Sequence, residues 1–310
     1  MLTRKLGWSS LLLLAVLLLG VPTVRGSAAN CFVVDDTLYC VDPDGSVTQQ
    51  QCSSPLWLPD GTVRCLATAC SLATLNGKYG FFAQGTQLES SSGAPLPSPL
   101  PFVVSGVFTY DGEGNVSGTY NQSIGGGIST GLKADGTYQV NPDCTYSAQF
   151  GPSGGHFAHR VGTITGEGMQ QEIHILYTDP PSVASGTLKK TPAPCSQATL
   201  NGTYALFGQG TIFPPGASPL ADATAGILTF DGAGSFSGED TANINGTATP
   251  VTFTGTYAVT PDCEVSADIK VSNGRELTEQ GSITADGESL EIHDIFTTPG
   301  WVFTDTLKKQ

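Results

Sequence analysis

The sequence predicts an all-β protein with two tandem antiparallel β-barrels of about eight strands each, preceded by a small disulfide-rich β module. Three observations lead to this prediction. One long motif occurs twice, large and small side chains alternate along the apolar segments, and turn signals recur at short intervals. The 39 glycines and 20 prolines among 310 residues are typical of a chain with many turns.

The repeat runs through most of the chain. The segment CSLATLNGKYGFFAQG begins at Cys70 and returns as CSQATLNGTYALFGQG at Cys195. EIHILYTDPPSVASGTLKK from Glu172 likewise returns as EIHDIFTTPGWVFTDTLKK from Glu291. Each copy has the length of one ordinary domain, whereas solenoid repeats have roughly 20–50 residues. Features kept in both copies are therefore candidates for architecture, and features of one copy are candidates for a specific role.

Alternating side chains and turn signals predict antiparallel strands in both copies. Phe108 and Tyr110 alternate with smaller residues, as Leu228 and Phe230 do in the second copy, which places the large side chains on one face. Asp-Gly pairs, typical of hairpin turns, begin at Asp111, Asp135, Asp231 and Asp286. A closed barrel is favoured over a sandwich because the Cys…Trp…Cys pattern of immunoglobulin-type sandwiches is missing and closure removes edge strands.

The first 29 residues have the pattern of a secretory signal peptide. Arg4 and Lys5 precede the apolar run Leu11–Leu19, and small residues follow as far as Ala29. The run is shorter than the roughly 20 residues of a transmembrane helix, and no later segment could span a membrane as a helix. Cleavage after Ala29 predicts a secreted, periplasmic or cell-surface protein. A lipoprotein anchored at Cys31 is the alternative, although Asn precedes this cysteine where a lipobox has a small residue.

The charge of the chain argues against two classes of partner. The net charge is −14, and the predicted signal peptide holds three of the basic residues and no acidic one. A nucleic-acid binder needs clustered Lys and Arg to displace counterions, and the basic residues here are few and scattered. We therefore expect no nucleic-acid partner and no binding to an anionic membrane surface.

Eight cysteines behind a signal peptide predict disulfide bonds. Each repeat has one cysteine at its start and one in its Pro-Asp-Cys motif, and the other four precede the repeats. The predicted pairs are Cys31–Cys40, Cys52–Cys65, Cys70–Cys144 and Cys195–Cys263. No Cys-x-x-Cys pair suggests a metal or redox site, so we expect neither a metal ion nor a cofactor.

These signals divide the chain into four segments. They are the signal peptide (1–29), a cysteine-rich β-hairpin module (30–69), the first barrel (70–190) and the second barrel (191–310). The module has turn signals at Asp35-Asp36 and Asp60-Gly61. The segment TPAP from Thr191 is predicted to be a short, stiff linker between the barrels.

The pattern CSxATLNGxY…FDGxGxxSG…GTYxVxPDC resembles secreted bacterial domains of unknown function, over residues 70–310. The strand number and the motif YDGEGNVSG/FDGAGSFSG are more distantly similar to β-barrels of the allene-oxide-cyclase and dirigent type. The second resemblance implies an apolar central cavity and, in some members, cyclisation of a bound lipid or polyketide. No residue here matches a catalytic residue of those enzymes, so the resemblance implies no activity.

Each copy of the repeat has one Glu-x-His pair. It is Glu172/His174 in the first copy and Glu291/His293 in the second. On a strand, residues two apart share a face, and a carboxylate beside a histidine could form a general base. The alternative is a structural role on the strand surface. It is favoured because no nucleophile, metal set or oxyanion-hole motif accompanies the pairs. We expect the two pairs to have matched surroundings.

The favoured function is a secreted, non-catalytic binding or structural protein that holds a small apolar ligand in each barrel. One alternative is a barrel-type cyclase or isomerase acting on a lipid-like or polyketide-like substrate through the Glu-His pairs. Another is an extracellular adhesion or carbohydrate-contact module, for which Trp57 and Trp301 are the best candidates. A barrel lined by Glu and His favours the enzyme, an apolar cavity favours binding, and a filled barrel favours a structural role.

Overall fold

The computed structural model has two compact units, Met1–Cys70 and Ser71–Gln310. The described residues are 24–26, 29–34, 37–41, 47–51, 55–57, 63–65, 70–90, 93–152, 158–179, 182–286 and 289–310, with the backbone alone before Cys70. The apolar run of the predicted signal peptide lies outside the described residues, as does Cys52. In the part of the chain that the structure describes, no helix is long and apolar enough to cross a membrane.

In the first unit, four short strands form an antiparallel sheet in chain order, and two more form a hairpin. Their bounds are β1 Val24–Gly26, β2 Ala29–Val34, β3 Thr37–Val41, β4 Val47–Gln51, β5 Pro55–Trp57 and β6 Val63–Cys65. Cys31 and Cys40 are direct cross-strand partners, a register that is compatible with a bridge between them. Cys65 pairs across the hairpin with Pro55.

The second unit contains two closed antiparallel barrels of eight strands each, which confirms the predicted fold class. In each barrel every strand pairs with the next along the chain, and the last strand closes on the first. The first barrel consists of β7 Asn76–Glu89, β8 Pro95–Asp111, β9 Asn115–Ile124, β10 Gly127–Val140, β11 Thr145–Pro152, β12 Ala158–Thr165, β13 Glu172–Tyr177 and β14 Ser182–Lys190. The second consists of β15 Asn201–Ile212, β16 Leu220–Asp231, β17 Ser235–Ile244, β18 Thr247–Val259, β19 Glu264–Val271, β20 Glu276–Asp286, β21 Ser289–Phe296 and β22 Trp301–Lys309.

The predicted turn at Asp111 forms as expected, with its carboxylate at the centre. Oδ1 of Asp111 accepts hydrogen bonds from the backbone N–H groups of Glu113, at 2.7 Å, and Asn115, at 2.9 Å. Asp231 makes the equivalent contacts in the second barrel. A side-chain oxygen that satisfies local backbone donors is a common way to fix a tight turn.

The predicted turn at Asp135 is wrong, because Asp135 lies inside β10 and pairs with Gly151 of β11. The glycine that follows it serves a close approach of strands rather than a turn. A Cβ on Gly136 would overlap the backbone carbonyl oxygen of Gln149. An Asp-Gly pair therefore marks either a turn or a crowded strand position, and the pair alone does not distinguish them.

A short 3-10 helix caps one end of each barrel. In the second barrel the helix Gln197–Thr199 is held by Tyr257, whose hydroxyl donates to the carbonyl oxygen of Leu200 at 2.9 Å. Tyr138 holds the helix Leu72–Thr74 in the first barrel in the same way. Because this tyrosine belongs to GTYxVxPDC in both copies, capping explains part of that motif.

The cysteines of the two repeats are disulfide-bonded. Cys195 and Cys263 form one bridge, 68 residues apart in sequence. Cys70 and Cys144, at the matched positions of the first copy, are each part of a disulfide bond. No cysteine in the described part of the chain is free. A bridge that closes a loop of this length contributes up to ~4 kcal/mol in the chain-entropy model.

The two barrels pack side by side, with β20, β21 and β22 against β7, β8 and β9. Val103, Ile295 and Val302 form a buried apolar cluster at this interface. Gly80 allows the close approach of the barrels, because a Cβ there would overlap the side chain of Thr284. The matched residue in the second copy is Ala205.

Candidate ligand site in the second barrel

In the first barrel, aromatic side chains surround one buried arginine. Arg160 on β12 is 7% exposed, and its guanidinium carbon lies 4.3 Å from the ring centres of Phe81 and Phe150. The ring centre of Tyr177 is 4.8 Å away. Contacts between a guanidinium and aromatic faces are cation–π interactions, which strengthen when they are desolvated. The first barrel therefore carries its own cation in its interior.

The second barrel encloses a cavity of about 280 Å³, lined mainly by apolar side chains. Leu206, Leu307 and Ile292 form one row across three neighbouring strands on the side of the capped end. Phe230 and Phe236 extend this apolar surface. We call these five residues the floor of the cavity.

Aromatic residues line the opposite end, near the turn between β21 and β22. Phe296 and Phe303 stack there with their ring centres 4.7 Å apart. Trp301 lies beside them and is half-buried against the ring of Phe296. Trp301, which was predicted as a candidate for an adhesion surface, thus lines the mouth of the cavity. The side chain of Trp57, the other residue offered, lies outside the described residues.

Five carboxyl groups line the cavity between the floor and the mouth. They belong to Asp222, Asp240, Glu279, Asp294 and Asp305. Glu279, Asp294 and Asp305 are all buried, and each offers an oxygen within 4.8 Å of those of the other two. We call these three residues the acid triad.

Strand register and glycines create the space for the triad. Asp305 pairs with Gly208 on one side and with Asp294 on the other, and Asp294 pairs with Gly281. A Cβ on Gly208 would overlap Oδ1 of Asp305, and a Cβ on Gly281 would overlap Asp294. The row lies two residues nearer the mouth than the row of Leu206. Gly208 therefore leaves room for the carboxyl group of Asp305, and Gly281 allows the close approach of the Asp294 backbone and Cβ.

Burial and mutual repulsion raise the pKa values of these carboxyl groups. Burial raises the pKa of Asp305 to about 7 and that of Asp222 to about 6. Burial, followed by the charges of Asp294 and Asp305, holds the pKa of Glu279 well above its ordinary value. Burial and then Asp305 act in the same direction on the pKa of Asp294. These carboxyl groups therefore lose their protons less readily than exposed ones do.

Several of these buried oxygens have no partner in the chain. Oδ1 of Asp222, Asp294 and Asp305 makes no hydrogen bond, although all three residues are more than nine-tenths buried. Of the described residues that line the cavity, Arg275 is the one basic side chain. Native structures usually satisfy buried polar groups with protein, water or a ligand. The cavity therefore combines unsatisfied acceptors with an excess of acidic groups.

The acidic groups belong to the second copy of the repeat only. At the positions of Asp222, Asp240, Glu279, Asp294 and Asp305, the first copy has Phe102, Tyr120, Arg160, Ile175 and Gly186. No sequence motif identified these acids, because they are spread over five strands and form no short pattern. The signal that could have found them is a comparison of inward-facing positions between the copies.

The predicted Glu-His pairs lie on the outer walls of the barrels, outside this cavity. Glu291 and His293 lie in the interface, where Nε2 of His293 is 3.4 Å from Oε2 of Glu291 and the imidazole stacks on Phe82. His174 has a 54% exposed side chain, 3.9 Å from Glu172. The expectation of matched surroundings is wrong, because the other barrel covers the second pair and leaves His174 in solvent.

Lys189 connects the two predicted pairs. Its Nζ lies 2.6 Å from Oε2 of Glu291 and 3.9 Å from Oε1 of Glu172. The His293 ring, and after it Lys189, lower the pKa of Glu291 to about 2. The structure thus brings Glu172, Glu291 and His293 together as an ion-pair network between the barrels. These ion pairs hold the two barrels in contact. None of the four predicted residues lines the cavity.

No protein-family model matches the chain, and no curated protein matches it. Among solved structures, it is similar to transferrin binding protein B of serogroup B Neisseria meningitidis, with 9% identity, a TM-score of 0.29, and 92% of this chain and 84% of that one covered. A double mutant of transferrin binding protein B from Haemophilus parasuis has 9% identity and a TM-score of 0.25, with 92% of this chain and 83% of that one covered. A putative AttH of Nitrosomonas europaea has 10% identity, a TM-score of 0.23 and coverages of 76% and 92%. At these TM-scores the likeness says nothing about the function of this chain.

Proposed function

We propose that this protein is a secreted, non-catalytic binding protein whose second barrel holds a small, largely apolar ligand. The observation that carries the proposal is the cavity of about 280 Å³ inside that barrel. Small-molecule pockets have roughly 300–1,000 Å³ and are lined mainly by hydrophobic and aromatic side chains with a few polar groups. The cavity is close to the lower end of that range, and its lining has that composition.

The first barrel has a structural role in this proposal. The sequence suggested a ligand in each barrel, and we assign the ligand to the second because Arg160 and the rings of Phe81 and Phe150 lie inside the first. That barrel also provides the surface on which β20, β21 and β22 of the second barrel pack. A first barrel that holds an arginine among aromatic rings, beside a second barrel with a cavity, fits a division of roles between support and binding.

Titration of the full-length mature protein with a neutral naphthalene dye tests the proposal. We expect one dye per chain and a blue-shifted emission. Leu228→Trp adds bulk to the wall of the cavity and should abolish binding. Ile227→Trp is the matched control, because the adjacent residue points outward and is exposed. Absence of dye binding, or equal binding by both variants, contradicts the proposal.

A barrel-type cyclase or isomerase is the second candidate. One observation favours it. The carboxyl group of Asp305 lines the cavity, and its pKa of about 7 suits proton transfer near neutral pH. Mass spectrometry of a lipid extract incubated with the protein distinguishes the candidates. A binding protein returns its ligand unchanged, whereas a cyclase returns an isomer, and Asp305→Asn then abolishes the conversion.

Secretion is part of the proposal and has its own test. It is supported by the basic and apolar pattern of the first 29 residues and by the disulfide bonds of the repeats. N-terminal sequencing of the protein from the medium or periplasm should begin at Asn30. Protein that accumulates in the cytoplasm with residues 1–29 attached contradicts this part of the proposal.

A further inference from the structure

The charges inside the second barrel are unbalanced. Five acidic side chains line the cavity, with one arginine among the described lining residues. Asp294 and Asp305 stand directly opposite each other on neighbouring strands, an arrangement that destabilises a sheet when both are charged. Asp222, outside the triad, is also more than nine-tenths buried with an unpartnered Oδ1. Architecture alone does not account for so many buried acceptors aimed into one cavity.

The first barrel shows what kind of cation this scaffold encloses. Arg160, whose position in the repeat is that of Glu279, places an organic cation among aromatic rings inside the barrel. Glu279 places a carboxyl group at that position instead. The second barrel therefore has the acceptors at the place where the first barrel has its built-in guanidinium.

The surroundings of the triad suit a cation that carries an apolar body. The floor lies directly below the Asp294–Asp305 row, and the Phe296 and Phe303 rings lie on its other side. A cavity of about 280 Å³ is many times the roughly 30 Å³ that one water molecule occupies. A ligand that uses the whole cavity thus needs both a positive group and a sizeable hydrocarbon part.

We propose that the second barrel selects an amphiphilic organic cation, whose ammonium or guanidinium group contacts Glu279, Asp294 and Asp305 while its apolar body lies on the floor. This inference rests on the proposed function, because it names the class of ligand for the same cavity. A bound cation would favour the charged forms of the three carboxyl groups and so lower the pKa values that burial raises.

A divalent metal ion is the competing occupant. Three carboxylate oxygens within 4.8 Å of one another could hold one. The organic cation is favoured because the cavity wall is mainly apolar and because a metal ion would leave the floor without a partner. Calorimetric titration with Ca²⁺ or Mn²⁺ distinguishes the two occupants.

Three probes of equal length measure the selectivity of the cavity. Octylamine, octanol and octanoate each compete with the neutral dye for the full-length mature protein at pH 8. We expect octylamine to bind at least about tenfold more tightly than octanol, because its ammonium group makes charge-assisted hydrogen bonds. Octanoate should bind more weakly than octanol, because its charge repels the carboxylates.

Carboxamide variants assign the preference to the triad. Asp294→Asn combined with Asp305→Asn keeps the side-chain shape and should bring octylamine within about threefold of octanol. Asp268→Asn, exposed on the outer face of the same barrel, is the matched control and should keep the full preference. Glu279→Gln supplies an independent variant if the double variant does not fold.

The outcomes separate this inference from the proposed function. Octanol binding without any preference for octylamine would overturn the inference and leave the proposed function intact. Failure of the dye and of all three probes would overturn both. Calorimetric binding of Ca²⁺ or Mn²⁺, lost in the carboxamide variants and without any amine preference in the wild type, would overturn the inference in favour of a metal site.

Discussion

Arg160 of the first barrel and Glu279 of the second occupy the same position in the repeat, and both side chains point into the interior of their barrel. The guanidinium is enclosed by aromatic rings, whereas the carboxyl group joins those of Asp294 and Asp305. A duplicated scaffold thus has a basic side chain in one copy and an acidic side chain in the other at one interior position. The first interior places its arginine among aromatic rings, and the second has an acidic cavity.

Asp305→Asn is expected to stabilise the protein at alkaline pH. Burial raises the pKa of Asp305 to about 7 in the folded chain, so folding favours its protonated form. Stability from this group is full below the unfolded pKa of about 3.9 and is lost as the pH rises through about 7. Denaturant unfolding should show a gain of about 1–4 kcal/mol at pH 8 and little change at pH 4.

Other titratable groups near Asp305 also contribute to the pH dependence of stability, so the measurement needs a control variant. The titratable and charged groups around Asp305 are Glu279, Asp294, Asp240 and Asp222, with Arg275 acting on Asp222. The variant should therefore keep part of the wild-type dependence on pH. Asp268→Asn, on the exposed outer face, should change stability by less than about 0.5 kcal/mol at either pH. An Asp305→Asn curve parallel to that of the wild type contradicts the raised pKa.

The barrels could be predicted from the sequence because their signals are local. Period-two alternation and Asp-Gly turns such as the one at Asp111 depend on a few neighbouring residues. The acid triad could not be predicted in this way, because barrel closure brings together strands that are distant in sequence. The surroundings of Glu291 and His293 depend on the packing of one barrel on the other, which no motif within a repeat encodes.

Glu291→Gln is expected to weaken the protein at neutral pH and to lose its effect in acid. The His293 ring and Lys189 lower the pKa of Glu291 to about 2, and Glu172 and the cross-strand Lys308 complete its charged surroundings. The stability from a lowered pKa is present above the unfolded value and is lost as the pH falls towards 2. We expect a loss of about 1–3 kcal/mol at pH 7.

Urea unfolding at pH 7 and pH 2.5 measures the effect of Glu291→Gln. Glu172→Gln is the matched control, because its carboxylate lies farther from Lys189 and is more exposed. It should cost less than about 1 kcal/mol at pH 7. A Glu291→Gln variant that is equally destabilised at both pH values would show that packing, rather than charge, holds the interface at this point.

Gly80→Leu is expected to disrupt the packing between the barrels. Its side chain would overlap Thr284 and Ser282 of the second barrel. Overpacking of a close contact costs about 1–3 kcal/mol. Ala205→Leu, at the matched position of the second copy, is the control and should be tolerated. Thermal unfolding combined with small-angle scattering should show a lower Tm and a larger radius of gyration for Gly80→Leu, and equal effects of the two variants contradict the close approach.

His293→Ala and His174→Ala are expected to differ, although the two histidines hold matched positions in the repeat. The side chain of His293 is 13% exposed, and its ring packs on Phe82 in the interface, whereas that of His174 is 54% exposed. Loss of the packed ring should cost about 1–2 kcal/mol of unfolding free energy, and loss of the exposed one less than about 0.5 kcal/mol. Neither variant should affect binding of the neutral dye, because neither histidine lines the cavity. Paired thermal melts and dye titrations measure both effects, and a His293→Ala variant with wild-type stability but altered dye binding would return this residue to the ligand site.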